Sequence, residues 1–215
     1  MDLKNKIVLV TGSSQGIGAA TAIKFSKKGA IVAITYNSNK EKGEKIIKEC
    51  LKYGECSLFK LDLTEENSIK NCVEKVVDKF GGIDILINNA GVLERKPLIE
   101  KSLDKINQEI EINLTGLIKI TKFVLPYFQA QSEGVVINIS SAAGKKGWGN
   151  KPVYCATKFA VRGFTQSMSK FYEGSKIKFY SVNPSQTATQ MRNYEGVPAS
   201  EVADIIMKTV EEKIK

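Results

Sequence analysis

A phenol and an ammonium stand four residues apart in Tyr154-Cys155-Ala156-Thr157-Lys158, inside a segment whose apolar spacing predicts a helix from Val153 to Tyr172. On a helix that spacing puts both groups on one face, a turn apart. A free phenol titrates near ~10, too high for easy proton exchange at neutral pH, and a neighbouring cation favours its ionised form. The pair could therefore exchange a proton with an oxygen whose charge changes during a reaction. Taken alone, Tyr-x-x-x-Lys more often decorates a surface, so the reading depends on what else the chain brings to the same place. Two hydroxyls precede the pair in Asn138-Ile139-Ser140-Ser141-Ala142-Ala143-Gly144. The sequence has no histidine, so a Ser-His-Asp mechanism is excluded. Cys50, Cys56, Cys72 and Cys155 lack Cys-x-x-Cys spacing, which argues for reduced thiols and against a metal.

A second chemical feature lies near the start, where Thr11-Gly12-Ser13-Ser14-Gln15-Gly16-Ile17-Gly18 joins an apolar run to a helix-like segment. Glycines permit a tight turn, and the free amides and dipole of the following helix suit a pyrophosphate. A glycine-rich turn by itself is weak evidence; its strand-turn-helix setting makes it a dinucleotide-binding candidate.

The elements that must carry these groups alternate strictly. Strand-length apolar runs at Ile7 to Val10, Ile31 to Ile34, Leu58 to Leu61, Ile83 to Ile87, Val135 to Ile139 and Ile177 to Val182 suit strands buried on both faces. Between them, helices are predicted over Ile17 to Lys28, Lys40 to Tyr53, Glu65 to Phe80, Ser102 to Gln129 and Val153 to Tyr172, with a last one at Ser200 to Ile214. Such alternation predicts an α/β fold of Rossmann type, a doubly wound parallel sheet of order 3-2-1-4-5-6 with helices on both faces. Irregular stretches at Gly91 to Lys101, Gly144 to Pro152 and Pro184 to Ala199 follow strand ends, where such sheets bind ligands. No linker divides the 215 residues, so one domain spanning 1–215 is expected.

The composition is that of an ordinary globular protein, 42% hydrophobic and 26% charged. No apolar run reaches the ~18 residues of a membrane span, and no signal peptide is legible, so a cytoplasmic protein is expected. The net charge of +9 is spread along the chain, with lysines and glutamates interleaved as in Lys40-Glu41-Lys42-Gly43-Glu44-Lys45. That pattern reads as solvated helix faces, and no nucleic-acid partner is expected.

Together these motifs resemble the short-chain dehydrogenase/reductase family, including its 3-oxoacyl-[acyl-carrier-protein] reductases. Thr11-Gly12-x-x-x-Gly16-x-Gly18 is similar to the family's cofactor motif, and Asn88-Asn89-Ala90-Gly91 to its Asn-Asn-Ala-Gly element. The resemblance also fixes Ser141 over Ser140, since thirteen residues before the tyrosine is the usual interval, and it matches Asn113 to the family's helix asparagine. It implies a catalytic set of Asn113, Ser141, Tyr154 and Lys158. Tyr154 would be the acid/base and Ser141 a donor to the substrate oxygen; Lys158 would hold the nicotinamide ribose and Asn113 a relay water. The expected activity is hydride transfer between a nicotinamide and a carbonyl or alcohol carbon, with an acyl thioester among the substrates the family allows. An NADP(H)-binding redox sensor without turnover is the alternative.

Cofactor contacts implied by the resemblance are Gly12, Ser14, Gln15, Gly16, Ile17 and Gly18 in the first turn, Asp62 and Leu63 after the third strand, and Asn89, Ala90 and Gly91 after the fourth. Tyr154, Lys158, Pro184, Thr187 and Thr189 complete them. Asp62 matches the position that binds the adenine amino group, leaving Thr64 as the better helix cap. The second strand ends in Tyr36-Asn37-Ser38-Asn39-Lys40, with no acid to bind a ribose 2′-hydroxyl. That favours NADP(H), with NAD(H) the alternative, although Gln15 stands where many NADP-using relatives have a base.

Three departures from the family pattern stand out. Ser185 replaces the usual glycine after Pro184 and would be strained if that position needs positive φ. Nothing after Ile214 can form the family's final strand, which predicts six strands and a shortened loop around Met191 to Pro198. Trp148, Met191 and Tyr194 are pocket candidates in loops. By resemblance, the two long helices predict a homodimer.

Overall fold

A computed structural model describes residues 2–185, 187–188, 191 and 196–213. Its main sheet comprises β1 (Ile7–Val10), β2 (Ile31–Tyr36), β3 (Cys56–Lys60), β4 (Ile85–Asn88), β5 (Glu133–Ile139) and β6 (Lys176–Val182). The order is β3-β2-β1-β4-β5-β6, with every neighbour parallel, as the alternation of elements predicts. Among the described residues no further strand joins this sheet. Two two-residue strands, β7 (Thr187–Ala188) and β8 (Val197–Pro198), form a separate parallel ladder within the stretch predicted to be irregular.

The helices are α1 (Gly16–Lys27), α2 (Lys40–Cys50), α3 (Glu66–Phe80), α4 (Leu103–Ile110), α5 (Gly116–Ala130), α6 (Pro152–Phe171) and α7 (Ala199–Lys213). Strand side chains alternate between two apolar layers, as the pleat requires. Val8, Val10, Ile34, Ile87 and Ile137 pack with Phe25 of α1 and Ile206 of α7 on one face. Leu9, Ala33, Leu86 and Val136 pack with Val73 of α3 and Val124 and Phe128 of α5 on the other. Each of these valine, leucine, isoleucine and phenylalanine side chains stabilises the fold by about 1.5–3 kcal/mol on burial.

The predicted helix from Ser102 to Gln129 is not continuous. Between α4 and α5, Glu111–Thr115 forms a π turn in which Gly116 N–H reaches back five residues to the Glu111 carbonyl. Wide turns of this kind collect at functional sites. Asn113 lies within it, fully buried.

The strand order reverses between β1 and β4, and there the carboxyl ends of the strands open a cleft of about 640 Å³. Crevices at this switch point are where open parallel sheets take ligands.

Candidate active site

The floor of the cleft is the turn between β1 and α1. Gly12 and Gly16 take φ of +63° and +59°, which glycine adopts at no steric cost. A Cβ on Gly12 would lie 2.9 Å from the Ala90 Cα. The turn is braced from two sides. Gly12 N–H donates to Thr35 Oγ1 at 2.9 Å, and Thr11 Oγ1 accepts from Asn89 and Ala90 N–H at 2.9 and 3.0 Å. Gln15, the N-cap of α1, is extended and makes no capping side-chain bond, and the first turn has no acid. Its orphan amides and dipole therefore suit an anion, so the cradle fits a dinucleotide diphosphate.

Two residues expected to touch the cofactor brace its cradle. Gly18 does not line the cleft; a Cβ there would come within 2.5 Å of Asn89 Nδ2 and the Gly12 carbonyl, so it permits the close approach of α1 to the turn. Asn89 reaches the cleft wall, but its amide donates to the carbonyls of Thr11 and Gly12 at 2.9 and 3.2 Å. Ser14, Gln15, Gly16, Ile17, Leu63, Ala90 and Gly91 line the cleft as expected.

At one end, Tyr36, Asn37, Ser38 and Asp62 share the wall. Asp62 accepts from Thr64 N–H and hydroxyl at 3.0 and 2.7 Å. Burial opposes its ionisation, but these bonds, the Asn37 amide and the Lys60 charge hold its carboxyl below the usual range. Thr64 is thus a donor to Asp62 and not the cap of α3, whose N-cap is Glu65 without a side-chain bond. Lys40, at the start of α2, pairs with Glu44 at 3.4 Å and does not line the cleft. Lys42 lines the cleft instead, its Nζ donating to Gln15 Oε1 at 2.8 Å. Sequence reading missed Lys42, although helical side chains lean toward the N-terminus and one two positions inside α2 can return to the strand end.

Ser141, Tyr154 and Lys158 converge at the other end. Ser140 is committed elsewhere, its hydroxyl donating to the Lys158 carbonyl at 2.8 Å. Ser141 Oγ accepts from Ala143 N–H at 3.1 Å, which leaves its own proton to donate. Lys158 Nζ donates to the Ile139 carbonyl at 2.9 Å and lies 5.6 Å from the Tyr154 ring centroid.

The electrostatics differ from the expected acidified phenol. Burial pushes the Tyr154 phenol up, partly offset by the hydrogen-bonding Ser141 hydroxyl, and Glu109 and Arg95 act in opposite directions. Burial lowers Lys158 to about 8.

Asn113 is brought close but lies behind the wall. Its Oδ1 accepts from Val92 N–H at 2.7 Å and its Nδ2 donates to the Val92 carbonyl at 2.8 Å, so the side chain clasps the segment after β4. A Cβ on Gly91 would come 3.1 Å from Asn113 Oδ1 and 3.6 Å from Lys158 Nζ, so this glycine lets the chain pass between them.

Pro184, Thr187, Trp148 and Met191 line the cleft as expected. Ser185 is free of the feared strain, since the positive-φ non-glycine residues among those described are Asn5 and Ser132. Thr189 and Tyr194 lie outside the described residues. Arg95, Gln108 and Lys151 also line the cleft and were not foreseen.

The profile of the short chain dehydrogenase family matches residues 6–197. The chain belongs to that family. Its members transfer hydride between a nicotinamide dinucleotide and CH–OH or C=O groups, and this short chain dehydrogenase is an oxidoreductase of that kind. It is 35% identical over 192 residues to the 3-oxoacyl-[acyl-carrier-protein] reductase FabG of Thermotoga maritima, covering 89% of this chain and 78% of the relative. It is 33% identical over 191 residues to an NADP-dependent 3-hydroxy acid dehydrogenase of Schizosaccharomyces pombe, covering 87% and 74%. A dehydrogenase/reductase from Sinorhizobium meliloti shares the fold with a TM-score of 0.90 at 23% identity, over 97% of this chain and 89% of that one.

Proposed function

We propose that this short chain dehydrogenase, one domain over residues 1–215, uses NADP(H) to reduce a 3-oxoacyl type carbonyl, as thioester or free acid. The observation that carries the reading is the convergence of Ser141, Tyr154 and Lys158 on the cleft floored by the Gly12 to Gly18 turn. When bound, NADPH supplies the hydride that adds to the carbonyl carbon. The amides at the start of α1 hold its diphosphate, and Asp62 takes the adenine amino group. Ser38 with Lys42, steadied by Gln15, holds the 2′-phosphate that a carboxylate would repel.

As hydride arrives, the carbonyl π electrons move onto oxygen. Ser141 donates a hydrogen bond there, and Tyr154 gives the oxygen its proton. A buried, upshifted phenol is fully protonated at neutral pH, the form an acid must have. Lys158 binds the nicotinamide ribose hydroxyls, and its charge offsets the tyrosinate formed until solvent returns a proton. Asn113 holds Val92, and with it the wall facing Lys158. The same unstrained Ser185 removes one reason to expect a binding protein without turnover.

The test is NADPH consumption against ketones, aldehydes, quinones and acetoacetyl thioesters, in wild type and Tyr154→Phe. The variant should lose about 10²- to 10⁴-fold in kcat while still binding NADPH. Equal turnover by both proteins contradicts the assignment. We further propose a cytoplasmic homodimer joined through α5 and α6, whose Ile118, Phe159 and Phe171 are exposed. Light scattering should give twice the 23.7 kDa chain mass.

A further inference from the structure

The loop after β4 is held by an unusual device for a surface segment. Lys101 and Glu109 form an ion pair with side chains 0% and 2% exposed. Burying two charges costs several kcal/mol per ion unless further hydrogen bonds satisfy them. Here the remaining bonds go to one residue's main chain. Glu94 N–H donates to Glu109 Oε1 at 2.9 Å, and Lys101 Nζ donates to the Glu94 carbonyl at 3.1 Å. The pair therefore fixes Glu94 on both sides and sets the direction of the next residue, Arg95.

Arg95 is exposed, lines the cleft, and crosses its mouth to the Met191 carbonyl, to which Nη2 donates at 3.3 Å. No carboxylate among the described residues forms an ion pair with it. Glu109 is committed to Lys101, and Glu94 Oε1 faces Lys96 at 3.7 Å. Among the described residues the one carboxylate on the cleft wall, Asp62, belongs to the opposite end with Asn37, whereas Lys151 adds a second positive side chain near Trp148. Arg95 and Tyr154 line the same cleft, so one small molecule there can meet both. A guanidinium fork matches a carboxylate through two parallel bonds.

We propose that Arg95 anchors a carboxylate on the substrate, and that this chain reduces short oxo acids in preference to their uncharged counterparts. The proposal rests on the hydride-transfer reading above and narrows its substrate to the free acid. A pantetheine-linked acyl group carries its phosphate many bonds from the reacting carbon, whereas Arg95 shares a wall with Tyr154. In the reaction, hydride adds to the oxo carbon, the C=O π bond opens, and Tyr154 protonates the oxygen. The product is the hydroxy acid with NADP⁺, the carboxylate unchanged on Arg95.

Three oxo acids, pyruvate, acetoacetate and levulinate, each compared with its methyl ester, set the carboxylate at increasing distance from the carbonyl. For at least one pair, wild type should favour the acid in kcat/KM by tenfold or more, about the worth of one charge-assisted bond. Arg95→Gln should bring that ratio near one, and Arg95→Lys should restore part of it. A wild type that prefers the ester in every pair, or a ratio unmoved in Arg95→Gln, overturns the proposal. Binding separates this failure from failure of the catalytic reading. Lactate, 3-hydroxybutyrate and 4-hydroxyvalerate, titrated calorimetrically into NADPH-saturated wild type, should include one that saturates and that Arg95→Gln does not bind. Saturation without any NADPH-driven turnover would leave the anion site standing and remove the catalytic reading; no saturable binding removes the site.

Discussion

Lys158 shows how a site residue works against the fold that holds it. Its ammonium is buried with one carbonyl acceptor, and its pKa falls to about 8 from an ordinary 10.5. Holding the charge there costs the ligand-free protein about 3 kcal/mol at neutral pH. The penalty is complete below pH 8 and fades toward 10.5, because over that interval the folded chain has shed a proton that the unfolded chain keeps. Lys158→Met should therefore raise the Tm of the free protein at pH 7, and the gap from wild type should close by pH 10. Calorimetric melting across that range checks it; a variant that melts lower throughout contradicts it. The sequence already displayed Tyr154, Lys158 and Ser141, because four-residue helical spacing is a local property. It could not display the phenol's raised pKa, which depends on burial beneath loops contributed from elsewhere.

At the scale of elements, cofactor choice comes down to where α2 begins. Asn39 caps it by accepting from Lys42 N–H at 2.9 Å, and that turn swings the Lys42 side chain back to Gln15. Lys42→Glu should raise the KM for NADPH at least about tenfold, with a smaller change for NADH, since a carboxylate repels a 2′-phosphate but can accept from a 2′-hydroxyl. Initial rates with both nucleotides decide it, and parallel losses would contradict the assignment. Strand-turn-helix order at Thr11 to Gly18 was legible because glycines and apolar periodicity both mark it. The break between α4 and α5 was not, since Glu111 to Thr115 reads as ordinary helix and its π turn carries Asn113, whose partner Val92 lies in the remote segment after β4. Gly18 and Asn89 were legible as a motif but not in their work, which is to lock two loops together.

For the whole molecule, alternating buried runs sufficed to give the sheet order, because parallel crossovers of one hand leave few arrangements. What the pattern missed lies where chain segments remote in sequence meet. The β7 and β8 ladder is two residues long on each side, below any periodic signal, and the place of Arg95 depends on the buried Lys101 and Glu109 pair behind it, eight residues apart in sequence. The +9 net charge, read as dispersed, includes lysine and arginine side chains on the cleft wall, a setting that favours an anionic dinucleotide. The central claim is that this cleft moves hydride from dinucleotide to carbonyl carbon, with Tyr154 as the proton donor. NADPH deuterated at the transferable position of the nicotinamide, incubated with acetoacetate or its thioester, tests it directly by mass spectrometry of the product. The account predicts one deuterium on the carbinol carbon with wild type and almost none with Tyr154→Phe. Deuterium retained on the nucleotide with wild type, or transferred equally by both proteins, would contradict it.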